Sequence, residues 1–275
     1  MRVKLNPSRN QSLSGQRIVV TRAREQVADF AQKLAKLGAD VLEIPAIKIV
    51  PTTRRQDIVD ALLALNSYDW LVFTSANGVA TFFDLFFKRF QDLRDLGGAR
   101  IAAVGPATAA RLRKLHLQVD LTPDEFVGTK IAEALAKFES VENLKICLLR
   151  AENANPDLPR ALEELGAIVD DIAVYKTVAE TEDPADAGTE LRENGADWIT
   201  FTSGSAVEHF HARFNLPKLL KKFPQMKLAS IGPETSKAIR ALKMEPALEA
   251  KEHTTDGLIA DLLHMAKQSK RQEKE

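Results

Sequence analysis

One cysteine, Cys147, stands among 275 residues, so no disulfide can form within the chain. A single thiol in an apolar run suits a reducing compartment. No stretch approaches the roughly 18 apolar residues that a membrane span needs. The opening MRVKLNPSRNQSLSG has no apolar core of the kind a secretory signal carries, which gives a cytoplasmic expectation. Neither sign of charge dominates: 38 basic and 38 acidic side chains cancel. That balance argues against a general nucleic-acid or membrane-surface role, while leaving room for a local basic patch. The patterns GxGxxG, GxxxxGK[ST] and GxSxG are all missing, and the five histidines (His116, His209, His211, His253, His264) show no metal-ligand spacing. No cofactor and no metal are expected, and Cys147 reads as inert core.

What the chain does have is a repeat. DWLVFTSANGVATFF (69–83) returns as DWITFTSGSAVEHFH (197–211), with seven of 15 positions identical. AAVGPAT (102–108) returns as ASIGPET (229–235), KIAEAL as LIADLL, RIVVTRA (17–23) as KICLLRA (145–151), and QKLAKLGADV as RALEELGAIV, always 127 or 128 positions apart. Register kept over so many segments marks an internal duplication. Each copy alternates short apolar runs with stretches of helical period: RIVV, WLVF and IAAV in the first, KICLL, WITF and LASI in the second. Alternating β and α implies two similar domains, each a parallel sheet flanked by helices.

Ligands of open parallel sheets bind off the carboxyl ends of the strands. That rule singles out FTS, VGPAT, LLRA and IGPET. Ser75 and Ser203 sit where helix N-caps belong, and GPAT and GPET place a glycine before a proline at the first helical position. Free amides and the positive end of the helix dipole there favour carboxylate or phosphate. Each serine could equally be a cap and no more. Arg22 and Arg150 occupy equivalent places after the first strand of each copy. Each could fork onto a ligand carboxylate or onto a neighbouring helix. One asymmetry stands out: ADVLEIPAIKIV (39–50) aligns with AIVDDIAVYKTV (167–178), so Ile47 is matched by Tyr175. A phenol present in one copy only suits a proton donor, or a packing residue at a domain junction.

In order and spacing these motifs resemble the uroporphyrinogen-III synthase family. The matching residues are Val20-Thr21-Arg22, the series Pro45, Ile47, Ile49 and Pro51, then FTSANGV, AVGPATA, LLRAE, VYKTV, FTSGSAV and SIGPETS, spread over about residues 15 to 265. Ala23 and Gly204 stand where the family often has proline, and AENANP replaces a glycine-rich loop. The repeat by itself would divide the chain near 140. The resemblance instead implies a first domain of 15–38 with 181–265, a second of 53–168, linker segments 39–52 and 169–180 crossing as a two-stranded β-ribbon, and flexible termini 1–14 and 266–275. It also implies a cleft between the two domains.

The resemblance further implies a lyase of heme biosynthesis acting on hydroxymethylbilane, a linear tetrapyrrole ringed with carboxylates. Loss of the terminal hydroxyl gives an azafulvene. Ring D then closes through a spiro intermediate and ends inverted, as uroporphyrinogen III. Tyr175 would be the general acid. Arg22, Ser75, Asn77, Gly105, Thr108, Arg150, Thr202, Ser203, Gly204, Ser205, Gly232, Pro233 and Thr235 would hold substrate. No nucleic acid or membrane is expected. A monomer is expected, with a transient contact to the preceding pathway enzyme left open. Two rivals remain: a non-catalytic two-domain small-ligand-binding protein, and a nucleotide-binding regulator that the missing phosphate loops disfavour.

Overall fold

A computed structural model describes residues 12–125 and 128–272. In order the elements are β1 (Arg17–Val20), α1 (Arg24–Lys36), β2 (Asp40–Glu43), β3 (Ile47–Pro51), α2 (Arg55–Leu63), β4 (Trp70–Phe73), α3 (Ala76–Arg89), β5 (Arg100–Ala103), α4 (Pro106–Lys114), α5 (Gly128–Phe138), β6 (Lys145–Ala151), α6 (Asp157–Glu164), β7 (Ile168–Ala179), α7 (Ala187–Asn194), β8 (Trp198–Phe201), α8 (Gly204–Phe214), α9 (Leu216–Lys222), β9 (Lys227–Ser230), α10 (Pro233–Ala241), β10 (Leu248–Glu249) and α11 (Thr255–Gln272). They form two compact units, one of residues up to Lys48 and from Val178 onward, the other Ile49–Thr177. The first sheet runs β10-β9-β8-β1-β2 and the second β3-β7-β6-β4-β5. The ladders β1–β2, β1–β8, β8–β9 and β9–β10 are parallel, as are β4–β5, β4–β6 and β6–β7. The expected α/β class with two parallel, helix-flanked sheets is what the chain adopts.

Each sheet mixes the two copies of the repeat. β8, from the second copy, pairs with β1, from the first. β4, from the first, pairs with β6, from the second. The repeated Asp-Trp explains how each junction is secured. Asp197 Oδ2 accepts from the Arg17 amide and Asp69 Oδ2 from the Lys145 amide, both at 2.7 Å. Each aspartate thus satisfies the first N–H of the strand beside it, which the ladder leaves unpaired. The symmetry persists to the sheet edge. Leu248 of β10 pairs with Ala229, and its counterpart Leu121 bridges Ala102.

Alternation along β4 serves two cores. Leu71 and Phe73 face a cluster built with Phe82, Phe83 and Phe86 of α3. Trp70 and Val72 face another built with Ile131 and Leu135 of α5. Phe73 of β4 meets Phe82 of α3 edge to face at 5.5 Å, as Phe82 meets Phe83 at 5.2 Å. Burying each such ring is worth about 1.5–3 kcal/mol, so this helix is held firmly against its sheet and its N-terminus is fixed in place.

The extended segments differ in continuity. The segment 39–52 is broken, with β2 in the first sheet, β3 in the second, and Ile44 to Ala46 between them. β7 is one strand of 12 residues beside β3. The expected flexible tail from 266 is corrected in part: α11 continues to Gln272, and Ala266 is buried. Leu13, within the expected flexible N-terminus, is also fully buried. Residues 1–11 and 273–275 lie outside the described residues.

Candidate functional site

In the second unit the site is set by a one-residue irregularity. Arg150 pairs with Ala173 but Ala151 pairs with Tyr175, so Val174 is an extra residue on β7. Along β7, Ile172 and the bulged Val174 face the α3 core, while Val169 faces the opposite core. Strict alternation would send Tyr175 to the opposite core, and the bulge returns it to the α3 side. There its phenol lies 3.0 Å from Ser75 Oγ, which also accepts from the Gly78 amide at 3.0 Å and so caps α3. Ser75 is thus a helix cap, and the same atom meets the phenol. Asn77 adds a second hydrogen bond to the phenol. A Cβ at Gly78 would crowd the Leu149 carbonyl oxygen at 3.1 Å.

Tyr175 is 6% exposed. Burial pushes its pKa above the ordinary phenol value, and the hydrogen bonds with Ser75 and Asn77 oppose that without cancelling it. The group is a neutral, oriented O–H donor across the physiological range. If it serves as the acid, kcat should stay flat on the alkaline side and fall only above about pH 10, where an ordinary phenol already ionises. A pH–rate profile checks this. An alkaline limb well below 10 that vanishes in Tyr175→Phe would contradict it.

Arg150 does not behave as expected. It is 5% exposed. Its Nε and Nη2 fork onto Asp171 at 2.5 and 2.6 Å, and Nη1 donates to the Asn155 carbonyl at 2.6 Å. With its donors so engaged, it braces the 151–156 turn against β7 and has no fork left for a ligand. Its repeat partner differs. Arg22 is half-buried, donates from Nη2 to Gln26 at 2.9 Å, and has no partner at Nε. Glu43, at the place corresponding to Asp171, is exposed, and among the described residues it makes no ion pair with Arg22. Burial lowers the Arg22 pKa from its usual value, against the opposing charge of Asp29. A partly desolvated cation with a spare donor at a strand end is chemically suited to an anion.

The remaining candidates fall at three helix starts, those of α4, α8 and α10. In the first unit Ser203 caps α8 by accepting from the Ala206 amide at 3.2 Å and lies 3.1 Å from Ser205 Oγ. Thr202 and Gly204 flank it, half-buried. Gly232 and Pro233 open α10, as Gly105 and Pro106 open α4. Thr235 and Thr108 are buried in those first turns, at 3% and 4% exposed. A Cβ on Gly232 would lie 3.0 Å from the His253 ring, a neighbour that no sequence motif announces. The Asp171 and Asn155 partners of Arg150 and the Val174 bulge were likewise invisible to motif reading. Among the described residues no group of His, Cys, Asp and Glu could hold a metal ion, and no helix is long and apolar enough to cross a membrane. Cys147 is buried, its pKa pushed up to about 12 chiefly by burial, so its thiol is unreactive.

Parallel α/β units with capped helix starts at their strand ends, a spare half-buried arginine and an oriented phenol define a class by its chemistry: α/β proteins whose strand ends offer amides, hydroxyls and a cation suited to an anionic organic ligand. Comparison with known proteins narrows it. The family model described as uroporphyrinogen-III synthase HemD matches residues 28–260. The chain belongs to the uroporphyrinogen-III synthase family, an enzyme family of heme biosynthesis whose activity is that of a lyase. A uroporphyrinogen-III synthase of Synechococcus elongatus is 30% identical over 94% of this chain and 98% of its own. The porphyrin biosynthesis protein HemD of Ruminiclostridium josui is 31% identical over 92% of this chain, which spans only 49% of that longer protein. Among solved structures, a mutant uroporphyrinogen III synthase of Thermus thermophilus covers 93% of this chain and 100% of its own, with TM-score 0.64 and 20% identity. The uroporphyrinogen-III synthetase of Helicobacter pylori covers 91% and 99%, with TM-score 0.58 and 16% identity. At such identities the structures speak for the fold.

Proposed function

We propose that this chain converts hydroxymethylbilane to uroporphyrinogen III, with Tyr175 as general acid on the departing hydroxyl. The observation that carries the acid role is the buried phenol, turned by the Val174 bulge toward Ser75 at the N-terminus of α3. Proton donation turns a poor leaving group, hydroxide, into water. The electron pair of the C–O bond leaves with the oxygen, the pyrrole nitrogen lone pair moves in, and the azafulvene forms as its N-protonated cation. No covalent bond to the protein is needed. Ring closure then depends on holding one conformation, and positioning can supply up to about 7–11 kcal/mol of barrier reduction.

Substrate carboxylates would be held by what each unit offers. In the second unit these are Ser75, Asn77 and the amides at Gly105 and Thr108. In the first they are Arg22, the start of α8 at Thr202, Ser203, Gly204 and Ser205, and the start of α10 at Gly232, Pro233 and Thr235. Arg150 is assigned to bracing. Cytoplasmic location and a monomeric state complete the reading.

Turnover separates this function from simple binding. Purified protein should accelerate loss of the linear tetrapyrrole over many equivalents, whereas a binding protein would retain about one equivalent unconverted. Arg22→Gln should raise KM about tenfold with kcat little changed, because one charge-assisted hydrogen bond is lost from ground and transition states alike. Unchanged KM in steady-state kinetics would remove Arg22 from the carboxylate set.

A further inference from the structure

The second unit holds a cavity of about 360 Å³ lined by β3, α2, α3 and β7. Its floor is apolar: Ile58 and Leu62 from α2, Leu85 from α3 and Val174 from β7. Val59 and Leu63, at 46% and 64% exposed, extend that surface to the mouth. Such a volume suits one small organic molecule. The polar side of the cavity has one sign. Arg55, Lys88 and Arg89 line it, and no acidic residue does. The neighbouring Arg54, by contrast, is paired with Asp57. Among the described residues the three lining cations form no ion pair; Arg89 lies over the Phe90 ring at 5.3 Å.

The three cations and the α2 and α3 lining residues lie outside the site above, which shares only Val174 with this floor, and the Thr52 hydroxyl in the lining is already spent on Glu152 at 3.0 Å. An apolar pocket beneath unpaired cations is complementary to one chemistry, a hydrocarbon body with an anionic head. We propose that this cavity binds a free amphiphilic organic anion, its apolar part against Ile58, Leu62 and Leu85 and its head between Arg55, Lys88 and Arg89. The proposal stands independently of the cyclising activity.

Decanoate is a suitable probe, titrated calorimetrically below its micelle concentration into the full chain. Saturable one-to-one binding is expected, with Kd on the order of 0.1–1 mM. Acetate, lacking the tail, and decyltrimethylammonium, with the opposite head, should each bind at least about tenfold more weakly. The double variant Lys88→Gln/Arg89→Gln should weaken decanoate about tenfold while hydroxymethylbilane turnover is kept. Val59→Glu, at an exposed position that folding tolerates, should weaken it similarly by placing a carboxylate at the mouth. Non-saturable decanoate binding, equal binding of the cationic amphiphile, or unaltered affinity in both variants would overturn the proposal. So would association with vesicles containing an anionic phospholipid in the absence of any decanoate site, which would assign the patch to a membrane surface.

Discussion

Tyr175→Phe is expected to lower kcat by about 10²–10⁴-fold and to leave KM within a few-fold of its original value. The substitution keeps the ring that packs in the α3 core and removes only the oxygen. Ser75 retains its second role, since its cap to the Gly78 amide does not depend on the phenol. Folding should therefore lose no more than about 1 kcal/mol, the net worth of one buried hydrogen bond. A large kinetic loss beside a small thermodynamic one marks proton donation. If the tyrosine served packing alone, phenylalanine would be close to neutral in both. Steady-state kinetics with urea denaturation on the same preparation separates the cases.

The largest stability effect outside the hydrophobic cores is expected at Asp171. Arg150 is nearly inaccessible, whereas the Asp171 carboxylate is 40% exposed. The pair is therefore asymmetric. Asp171→Ala strands a buried guanidinium and should cost about 2–4 kcal/mol, discounted from a fully buried pair because water reaches the carboxylate side. Arg150→Met leaves only a carboxylate that can rehydrate, so it should cost clearly less. Urea midpoints for both variants check the order. If the order were reversed, the bracing role given to Arg150 would be wrong, and a substrate-facing role would regain its place.

Much of this was legible in the chain. The repeat announced two sheets because strand, cap and helix recur in register, and DWLVFTS and DWITFTS mark matching places in both. The serine caps followed from residue type and position alone, as did the glycine-proline helix starts. Other features were not legible, for physical reasons. The bulge at Val174 is a relation between β6 and β7, and no pattern in the sequence of β7 itself encodes a register shift with its neighbour. Arg22 and Arg150 look equivalent along the chain. They differ in space because Asp171 and the Asn155 carbonyl converge on one of them, while Glu43 stays in solvent beside the other. The crowding of Gly232 by His253, 21 positions away, required the fold to be known.

Isomer analysis tests the proposed activity most directly. Hydroxymethylbilane incubated with the purified chain, then oxidised and resolved chromatographically, should yield the type III porphyrin, with ring D inverted, well above the type I that forms in buffer. Product that is type I alone, at the rate of the buffer control, would contradict it.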